Sequence, residues 1–321
     1  MFFNILMIII GFIFLVLGAN LLVKGSSNIA KKFHIPEILL GLTIVALGTS
    51  MPELFITASS AKKDSYDLII GNAVGSNLCN ILLILGLMAV ISPVKIEKEA
   101  RNFHIPVAII STILILLMGL GILGNNTSFI NWKEGIFLLI LFVVYFSYPI
   151  VKEFEDILIS IKNNSDNAEL KKINPFLCFI FIVLGIILLK YGGDLVVDYS
   201  TIIAETLNIS ERVIGLTIVA IGTALPELVT SIVSIIKKDT DLAVGNIIGS
   251  CVLNILLILG IGSILTPLEF TPEFIQNLIL LCFSTFLLFI FNYIGKKNTI
   301  TRFKGFVLLS IFIIYMIKLF I

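Results

Sequence analysis

Apolar residues fill the chain in long blocks, and short polar segments separate one block from the next. A bilayer-spanning helix needs about 20 mostly apolar residues, and ten blocks approach that length. They lie near residues 3–23, 38–60, 67–91, 104–123, 132–150, 174–195, 212–236, 241–265, 274–293 and 303–320. The pattern therefore predicts an all-α integral membrane protein with ten transmembrane helices.

The composition agrees with this prediction. Of the 321 residues, 58% are hydrophobic and 13% are charged, whereas soluble domains are near half apolar and about a quarter charged. The net charge of +1 indicates no strongly acidic or basic partner, so we expect contact with the lipid bilayer, no nucleic acid and no obligate protein partner. The chain opens directly into apolar sequence without a basic segment or a small-residue cleavage site, and we expect the first block to be retained as a span.

One polar segment is longer than the others. Residues 152–172 include the run Asn163-Asn164-Ser165-Asp166-Asn167 and separate two groups of five predicted spans. We therefore divide the chain into a first five-helix half over 1–151, a linker over 152–172 and a second half over 173–321. A linker of about 20 residues is shorter than a folded regulatory domain.

Basic residues are concentrated on one side of the predicted spans. Sixteen of the 22 Lys and Arg residues fall in or beside the loops that follow the odd-numbered spans. Because cytoplasmic loops carry an excess of Lys and Arg, this face is predicted to be cytoplasmic. The linker is then cytoplasmic, and both termini lie outside the cell membrane.

The two halves contain an internal repeat. Residues 41–87 align without a gap with residues 215–261, at a shift of 174 positions, and 26 of the 47 pairs are identical. The identities include Pro, Glu, Asn and Gly as well as apolar residues, so they indicate duplication. Since each half has an odd number of spans, the second copy must cross the membrane in the opposite sense. This is the inverted repeat common among secondary transporters.

Each copy of the repeat carries a carboxylate beside a proline inside an apolar block. The two stretches are Gly48-Thr49-Ser50-Met51-Pro52-Glu53-Leu54 and Gly222-Thr223-Ala224-Leu225-Pro226-Glu227-Leu228. An ionisable residue at membrane depth is costly and marks a functional site by default. Each proline lacks an N–H and clashes with the preceding turn, so it should free backbone carbonyls near Ala46 and Ala220 for a cation.

Further oxygen donors lie beside these glutamates. Residues four apart share a helix face, which pairs Thr49 with Glu53 and Ser76 with Asn80, and the second copy repeats both pairs. The candidate cation ligands are Glu53, Glu227, Thr49, Thr223, Ser50, Ser76, Ser250, Asn80 and Asn254, together with the carbonyls of Ala46 and Ala220. An all-oxygen set with two carboxylates suits Ca²⁺ or Na⁺ rather than zinc or copper. Protons could occupy the same carboxylates.

Glycines and histidines complete the set of residues with a predicted role. We expect four glycines to hold the paired helices close together, namely Gly71, Gly75, Gly245 and Gly249. The two histidines, His34 and His104, lie at loop–helix junctions and are predicted to be interfacial.

Three classes of function remain open from these residues. Helices interrupted by Gly and Pro at corresponding places in two halves favour a carrier, whereas a passive cation channel would show faster, uncoupled flux. An intramembrane hydrolase could use Ser50 or Ser76 as a nucleophile. It would also need a histidine base at the same depth, and neither histidine is placed there. We therefore expect a transporter without enzymatic activity and without a cofactor.

At these residues the chain resembles the sodium/calcium exchanger family of the cation/Ca²⁺ exchanger superfamily, in its small prokaryotic form. The paired Gly-Thr-Ser-x-Pro-Glu and Gly-Ser-x-x-x-Asn motifs carry the resemblance, and residues 41–87 and 215–261 correspond to the two family repeats. The resemblance implies Na⁺/Ca²⁺ antiport by alternating access, with Ca²⁺ bound at mid-membrane between the repeats. The implied Ca²⁺ ligands are Glu53, Glu227, Thr49 and Thr223; the implied sodium sites add Ala46, Ser50, Ser76, Ala220, Ala224 and Ser250, and the central polar pair is Asn80 and Asn254.

The chain departs from the family pattern at two of these positions. Ala224 stands where the family often has Ser, which removes one hydroxyl from an implied sodium site and leaves H⁺/Ca²⁺ antiport as an alternative to Na⁺ coupling. Asn254 stands where potassium-dependent relatives carry Asp, which argues against co-transport of K⁺.

Overall fold

The structure is a computed structural model that describes residues 2–33, 35–62, 66–123, 128–163, 174–207, 220–294 and 298–320. These residues form α-helices, π-helical segments and four two-residue strands. The all-helical class predicted from the sequence is therefore confirmed. The first histidine, His34, lies outside the described residues.

The helices follow one another through short connections. In chain order they are α1 (Phe2–Phe33), α2 (Glu37–Leu40), α3 (Ala46–Thr49), α4 (Met51–Ala61), α5 (Tyr66–Leu78), α6 (Leu85–Ile91), α7 (Ile105–Gly119), α8 (Trp132–Asn163), α9 (Pro175–Thr206), α10 (Ala220–Thr223), α11 (Leu225–Ile236), α12 (Thr240–Leu253), α13 (Leu259–Leu265), α14 (Pro272–Phe291) and α15 (Arg302–Phe320). Turns of π-helix occupy Gly41–Val45, Cys79–Ile84, Ala100–His104 and Asn254–Ile258.

Seven helical stretches within the described residues are long and apolar enough to cross a membrane. They fall on seven of the ten predicted blocks. An eighth crossing results if the bent pair Glu37–Thr49 and Met51–Ala61, which meet at 44°, counts as one span. The chain is thus an α-helical membrane protein with seven or eight spans in its described part.

The two remaining blocks leave the predicted number of ten open. Residues 208–219 lie outside the described part of the chain, and the described part of the seventh block holds the four-residue helix α10 and the 12-residue helix α11. The tenth block forms α15, a 19-residue helix that is not among the seven. The number of ten spans and their inverted arrangement stay predictions.

The helices belong to two compact units. The first unit contains Met1–Thr49, Phe146–Asn246 and Leu319–Ile321, and the second contains Ser50–Tyr145 and Ile247–Lys318. Each unit combines segments from both halves of the sequence. The boundaries predicted for the halves, 1–151 and 173–321, describe a sequence duplication and remain a prediction.

In the first unit, α1 packs along α9 in the antiparallel sense with the two backbones in direct contact. A Cβ added to Gly18 would lie 2.8 Å from the carbonyl oxygen of Gly185, and a Cβ on Gly185 would lie 2.8 Å from that of Gly18. Small residues recur every seven positions along both helices, at Gly11, Gly18 and Gly25 and at Cys178, Gly185 and Gly192. Such small-residue contacts let helices approach closely in membranes. The seven-residue spacing of small residues in the sequence is the signal that indicates this close packing.

In the second unit, two short antiparallel strand pairs join the two sequence halves. Strand β1 (Val94–Lys95) pairs with β4 (Thr299–Ile300), and β2 (Phe129–Ile130) pairs with β3 (Leu268–Glu269). Strand β3 follows β1 by the repeat shift of 174 positions. Strands β1 and β3 are therefore repeat equivalents, and each pairs with a strand from the other half of the sequence. The repeat thus extends beyond the 47 aligned residues.

Two close glycine contacts in the second unit are also equivalent to each other, and each joins the two halves of the sequence. A Cβ on Gly305 would lie 2.7 Å from the carbonyl oxygen of Gly86, and a Cβ on Gly135 would lie 2.8 Å from that of Gly260. Gly86 and Gly260 are repeat equivalents. The second unit is therefore approximately symmetric within itself.

One histidine is buried inside the protein. His104 is 1% exposed, and its Nδ1 lies 3.0 Å from the hydroxyl of Tyr145, which is also buried. His104 lies directly before α7 begins, as the sequence predicts, and its partner on α8 keeps the imidazole out of solvent; its interfacial position in the membrane stays a prediction.

We expect Tyr145→Phe to lower the unfolding temperature, because the His104 ring loses this hydrogen bond without gaining access to water. Loss of such a buried bond costs about 1 kcal/mol or more. Thermal unfolding in detergent measures the change. Tyr148→Phe on the same helix is the control, since Tyr148 is 47% exposed and should melt like the parent. Identical melting of the Tyr145→Phe variant and the parent would contradict the assignment.

Candidate cation site

Both copies of the Pro-Glu stretch break their helix at the same place. In the first copy α3 ends at Thr49, Ser50 adopts φ −86° and ψ 11°, and α4 begins at Met51. In the second copy α10 ends at Thr223, Ala224 adopts φ −85° and ψ 1°, and α11 follows. Proline at the second position of each new helix lacks the N–H that would continue the preceding one. The helix breaks predicted from the two prolines are confirmed.

The two glutamates are buried in the first turn of the helices that follow these breaks. Glu53 in α4 and Glu227 in α11 are each 1% exposed. The first turn of a helix favours negative charge, because the free backbone N–H groups point toward it. The helix N-termini therefore help to stabilise the negative charge of two glutamates that are shielded from bulk water.

In the second unit four predicted residues form two hydrogen-bonded pairs. Ser76 Oγ donates to Glu53 Oε1 over 3.3 Å, and Ser50 Oγ donates to Ser250 Oγ over 3.1 Å. All four side chains are buried. In addition, Asn72 Nδ2 donates to the backbone oxygen of Glu53 over 3.4 Å. Carboxylate and hydroxyl oxygens of the predicted set thus face one another inside this unit.

The two central asparagines, Asn80 and Asn254, both lie at the beginning of a π-helical segment. Single π-turns within α-helices frequently mark functional sites. Their identical run Asn-Ile-Leu-Leu-Ile contains neither Gly nor Pro, so no residue in it predicts the wider turn. Asn254 Nδ2 donates to Oδ1 of Asn77 over 3.0 Å, a residue that the sequence analysis did not select.

In the first unit Thr49 is held by a second unpredicted asparagine. Thr49 Oγ1 lies 3.1 Å from Oδ1 of Asn246 and 3.3 Å from the carbonyl oxygen of Ala46, and can donate to either. Asn246 Nδ2 donates in turn to Ser231 Oγ over 3.2 Å. Asn246 is identical to its repeat equivalent, Asn72, and this identity was the available signal.

The remaining predicted ligands also belong to the first unit. Thr223 is half-buried at the end of α10, and Ala220 is the first residue of that helix. Together with Ala46, Thr49 and Glu227 they make five of the eleven candidates, and the other six lie in the second unit. The division between the units passes directly through the first Pro-Glu stretch, after Thr49.

The glycines differ from their prediction. A Cβ on Gly245 would lie 2.4 Å from the carbonyl oxygen of Ile38, and a Cβ on Gly41 would lie 2.4 Å from that of Leu242. The predicted close approach at Gly245 is confirmed. A Cβ on Gly71 would have its nearest neighbour at 3.8 Å, and a Cβ on Gly75 would have none within 4 Å. The prediction that these two glycines hold helices close together is therefore wrong.

The chemistry of the site is that of oxygen donors. Among the described residues no three His, Cys, Asp or Glu side chains form a metal-binding group. The oxygen donors beside Glu53 in the described residues are the hydroxyl of Ser76 and the amide of Asn72, and water could complete the shell of a cation bound there. Such ligands suit hard ions such as Ca²⁺, whereas transition metals favour Cys and His.

Comparisons with known proteins agree with this chemistry. The family described as "Sodium/calcium exchanger protein" matches residues 3–151 and 177–321. The "Putative antiporter CaxA" of Alkalimonas amylolytica is 34% identical over 328 residues, covering 98% of this chain and 97% of that protein. The "Sodium/calcium exchanger MaX1" of Methanosarcina acetivorans is 30% identical over 351 residues, covering 99% and 98%.

A solved structure has the same fold. The sodium-calcium exchanger NCX_Mj, soaked with zero Na⁺ and Ca²⁺, superimposes with a TM-score of 0.81 at 32% sequence identity. The superposition covers 98% of each chain. The similarity therefore extends over nearly the full length of both chains.

Proposed function

Because the chain belongs to the sodium/calcium exchanger protein family, we propose that this cation/Ca²⁺ exchanger uses a Na⁺ gradient to move Ca²⁺ by alternating access. The observation that carries the proposal is the duplicated helix break with a buried glutamate directly after it. Inverted repeats with interrupted helices are a common architecture of secondary transporters. The proposed activity involves no covalent chemistry and no cofactor.

We propose that Glu53 and Glu227 both coordinate the transported Ca²⁺. A pair of carboxylates balances the charge of one divalent ion, and the carbonyls of Thr49 and Thr223 would complete its shell. Hydroxyl, amide and carbonyl oxygens would hold Na⁺ when Ca²⁺ has left, from Ala46, Ser50, Ser76, Asn80, Ala220, Ser250 and Asn254. Support comes from the oxygen-only chemistry and from the burial of both glutamates.

The orientation in the membrane is part of the proposal. We place the linker over 152–172 in the cytoplasm and both termini outside, on the distribution of Lys and Arg. Ten spans in two inverted halves would give this arrangement. Labelling of single cysteines introduced near residue 2 and within the linker, with a reagent that does not cross membranes, tests it.

Flux measurements test the coupling ion. Purified protein in liposomes is loaded with Na⁺, and uptake of ⁴⁵Ca is followed after dilution into medium without Na⁺. We expect the outward Na⁺ gradient to drive uptake and a K⁺ gradient of the same size to drive none. An equal rate of ⁴⁵Ca uptake with and without the Na⁺ gradient would refute sodium coupling.

A specific observation favours H⁺ as a second candidate for the coupling ion. Ala224 is 3% exposed at the helix break, where its repeat equivalent, Ser50, donates to Ser250. The second copy therefore lacks one buried hydroxyl that could bind Na⁺. Uptake of ⁴⁵Ca driven by a pH step in the absence of Na⁺ would support proton coupling.

The variant Ala224→Ser should strengthen the response to sodium. The added hydroxyl supplies one more oxygen for Na⁺, and we expect the Na⁺ concentration for half-maximal exchange to fall about threefold or more. Ala224→Val, which adds volume without an oxygen, is the matched control. An unchanged sodium response in Ala224→Ser would show that position 224 does not face the ion.

A further inference from the structure

The second unit repeats its packing but not its charge. The strand pairs β1–β4 and β2–β3 are equivalent, and Lys95 in the first pair takes the place of Glu269 in the second. The same register matches α15 with α8 at a shift of 170 positions, so that Lys304 corresponds to Glu134. At both positions the two copies therefore carry opposite charges.

Five basic residues lie in or beside the paired strands β1 and β4, and we call them the basic end: Lys95, Lys98, Arg101, Arg302 and Lys304. Two acidic residues, Glu97 and Glu99, lie in the same segments. At the seven equivalent positions the sequence has three glutamates and no basic residue. These glutamates, which we call the acidic end, are Glu134, Glu269 and Glu273. Because the same packing accepts either charge, the fold does not itself require the basic residues.

Helix α14 separates the two ends by the thickness of a membrane. It begins at Pro272, three residues after Glu269, and ends at Phe291, whose carbonyl oxygen accepts from Lys304 Nζ. Its 20 residues extend over about 30 Å, which matches the hydrocarbon core of a bilayer. The basic end and the acidic end therefore lie at opposite surfaces of the bilayer.

Arg101 is held in place by neutral groups. Its Nε donates to Asn102 Oδ1 over 2.9 Å, and its Nη1 donates to Asn298 Oδ1. Its Cζ lies 5.4 Å from the centre of the Tyr293 ring. A guanidinium has five N–H donors and a permanent positive charge, and these partners do not neutralise it. The planar fork of a guanidinium matches the oxygens of a phosphate group.

Lys304 has a structural role at the same end. It is buried, and its Nζ donates to the carbonyl oxygen of Thr299 over 2.8 Å and to that of Phe291. An ammonium group here satisfies a terminal carbonyl of α14 and is favoured by the helix dipole. The basic residues whose side chains are exposed for direct contact are Lys95, Lys98 and Arg302.

Exposed apolar side chains border the basic end. Tyr293 and Ile294 follow α14, and both are exposed. Phe303, next to Arg302, is 76% exposed, and Phe306 is exposed one turn further along α15. Positive charge beside exposed apolar side chains at a membrane surface suits an anionic lipid, which offers both a phosphate and acyl chains.

We propose that the basic end binds the headgroup of an anionic phospholipid. Arg101 is the principal ligand of the phosphate, because its neutral contacts fix the guanidinium before the lipid arrives. Lys95 and Arg302 add attraction from the rim, and the acyl chains lie against Phe303 and Phe306. In the orientation proposed above this end faces the cytoplasm, where anionic lipids attract Lys and Arg. The binding does not depend on the identity of the transported ion.

Lipid titration of the full-length protein tests the proposal. Purified protein in detergent is titrated with phosphatidylglycerol or with zwitterionic phosphatidylcholine, and bound lipids are counted by native mass spectrometry. We expect phosphatidylglycerol to bind more tightly by about tenfold or more, and this preference should shrink as salt is added. Equal affinity for the two lipids would overturn the proposal.

Variants that remove exposed charges locate the site. Lys95 and Arg302 are exposed, so Lys95→Gln/Arg302→Gln should fold like the parent. We expect it to bind phosphatidylglycerol about 25-fold more weakly, at about fivefold for each removed charge, with phosphatidylcholine unaffected. Lys133→Gln is the matched control, because Lys133 is exposed beside Glu134 at the acidic end. An equal loss in Lys133→Gln would show that binding follows overall charge, and would overturn the proposed location.

Two variants of Arg101 test its role as the phosphate ligand. Arg101→Gln should bind phosphatidylglycerol about tenfold more weakly or worse, since a charged hydrogen-bond donor is lost. Arg101→Lys keeps the charge but not the fork, and should weaken binding about threefold or more. Parental affinity in Arg101→Lys would refute the assignment of the guanidinium. If Arg101→Gln does not fold, the double variant of exposed residues decides.

Inorganic phosphate distinguishes a lipid site from a site for any phosphate anion. Because a free anion makes no contact with Phe303 and Phe306, we expect phosphate at the concentration of the lipid to displace little phosphatidylglycerol from the parent. Displacement by phosphate as efficient as displacement by a second anionic lipid would show that the acyl chains contribute nothing, and would overturn the assignment to a phospholipid.

Discussion

Replacing Glu53 by Gln is expected to abolish Ca²⁺ transport while the protein stays folded. Gln keeps the size of the side chain and can still accept from Ser76, which lies 3.3 Å from Oε1, but it removes one negative charge. A carboxylate and a divalent ion 4 Å apart at a partly buried site attract by about 8 kcal/mol, and the cost of desolvating the carboxylate offsets part of this, so we take about 4 kcal/mol as the net loss. Such a loss corresponds to about a thousandfold weaker Ca²⁺ binding.

The measurement is uptake of ⁴⁵Ca into liposomes under the gradient that drives the parent. Glu227→Gln should behave in the same way, since Glu227 is equally buried in the equivalent stretch. Glu273→Gln is the matched control, because Glu273 is an exposed carboxylate in the first turn of α14. Substantial uptake of ⁴⁵Ca by Glu53→Gln would show that the Glu53 carboxylate is not required for Ca²⁺ transport.

Gly245→Ala is expected to have the largest effect on stability. The added methyl group would lie 2.4 Å from the carbonyl oxygen of Ile38 and 3.0 Å from the Cα of Gly41. Both contacts are with backbone, so no side chain can rotate away. Overpacking of this kind costs typically about 1–3 kcal/mol and occasionally more.

The repeat supplies the control for this variant. Gly71 is the equivalent of Gly245, and a Cβ there has its nearest neighbour at 3.8 Å. Gly71→Ala should therefore melt at or above the temperature of the parent, since alanine favours the helix over glycine by about 1 kcal/mol. An equal loss of stability in both variants would contradict the claim that Gly245 is needed for the close approach of the two helix backbones.

The parts of the site that follow from covalent chemistry could be predicted from the sequence. Proline has no N–H, so Pro52 and Pro226 fixed where the helices break. The burial of Glu53 and Glu227 followed from the length of the apolar blocks around them. The pairing of Ser76 with Glu53 required tertiary packing, but the conserved register between the copies made both residues visible.

Other parts depend on contacts between distant segments. Asn77 and Asn246 form hydrogen bonds to residues that are distant in the sequence, and no local pattern encodes these contacts. The π-turns at Asn80 and Asn254 contain no Gly or Pro that would predict them. The same holds for His104, whose partner lies 41 positions away. Gly71 and Gly245 are repeat equivalents that share the Gly-Asn pair, yet only Gly245 lies against a backbone. A repeat in sequence therefore does not guarantee equal packing.

The seventh predicted span shows the limit of hydropathy. Apolar length predicts a crossing only where one continuous helix forms. The block over 212–236 is divided by the break at Ala224, so that α11 has 12 residues. Interrupted helices are where a transporter binds its substrate, and they are also where hydropathy is least informative about span number.

Equilibrium binding of Ca²⁺ tests the central claim, that Glu53 and Glu227 hold the same ion. The purified parent, Glu53→Gln and Glu227→Gln are titrated with Ca²⁺ in detergent without Na⁺. A shared site predicts one tightly bound Ca²⁺ in the parent and none in either variant. Retention of a tight Ca²⁺ in either variant would mean that the glutamates serve separate sites, and would contradict the account.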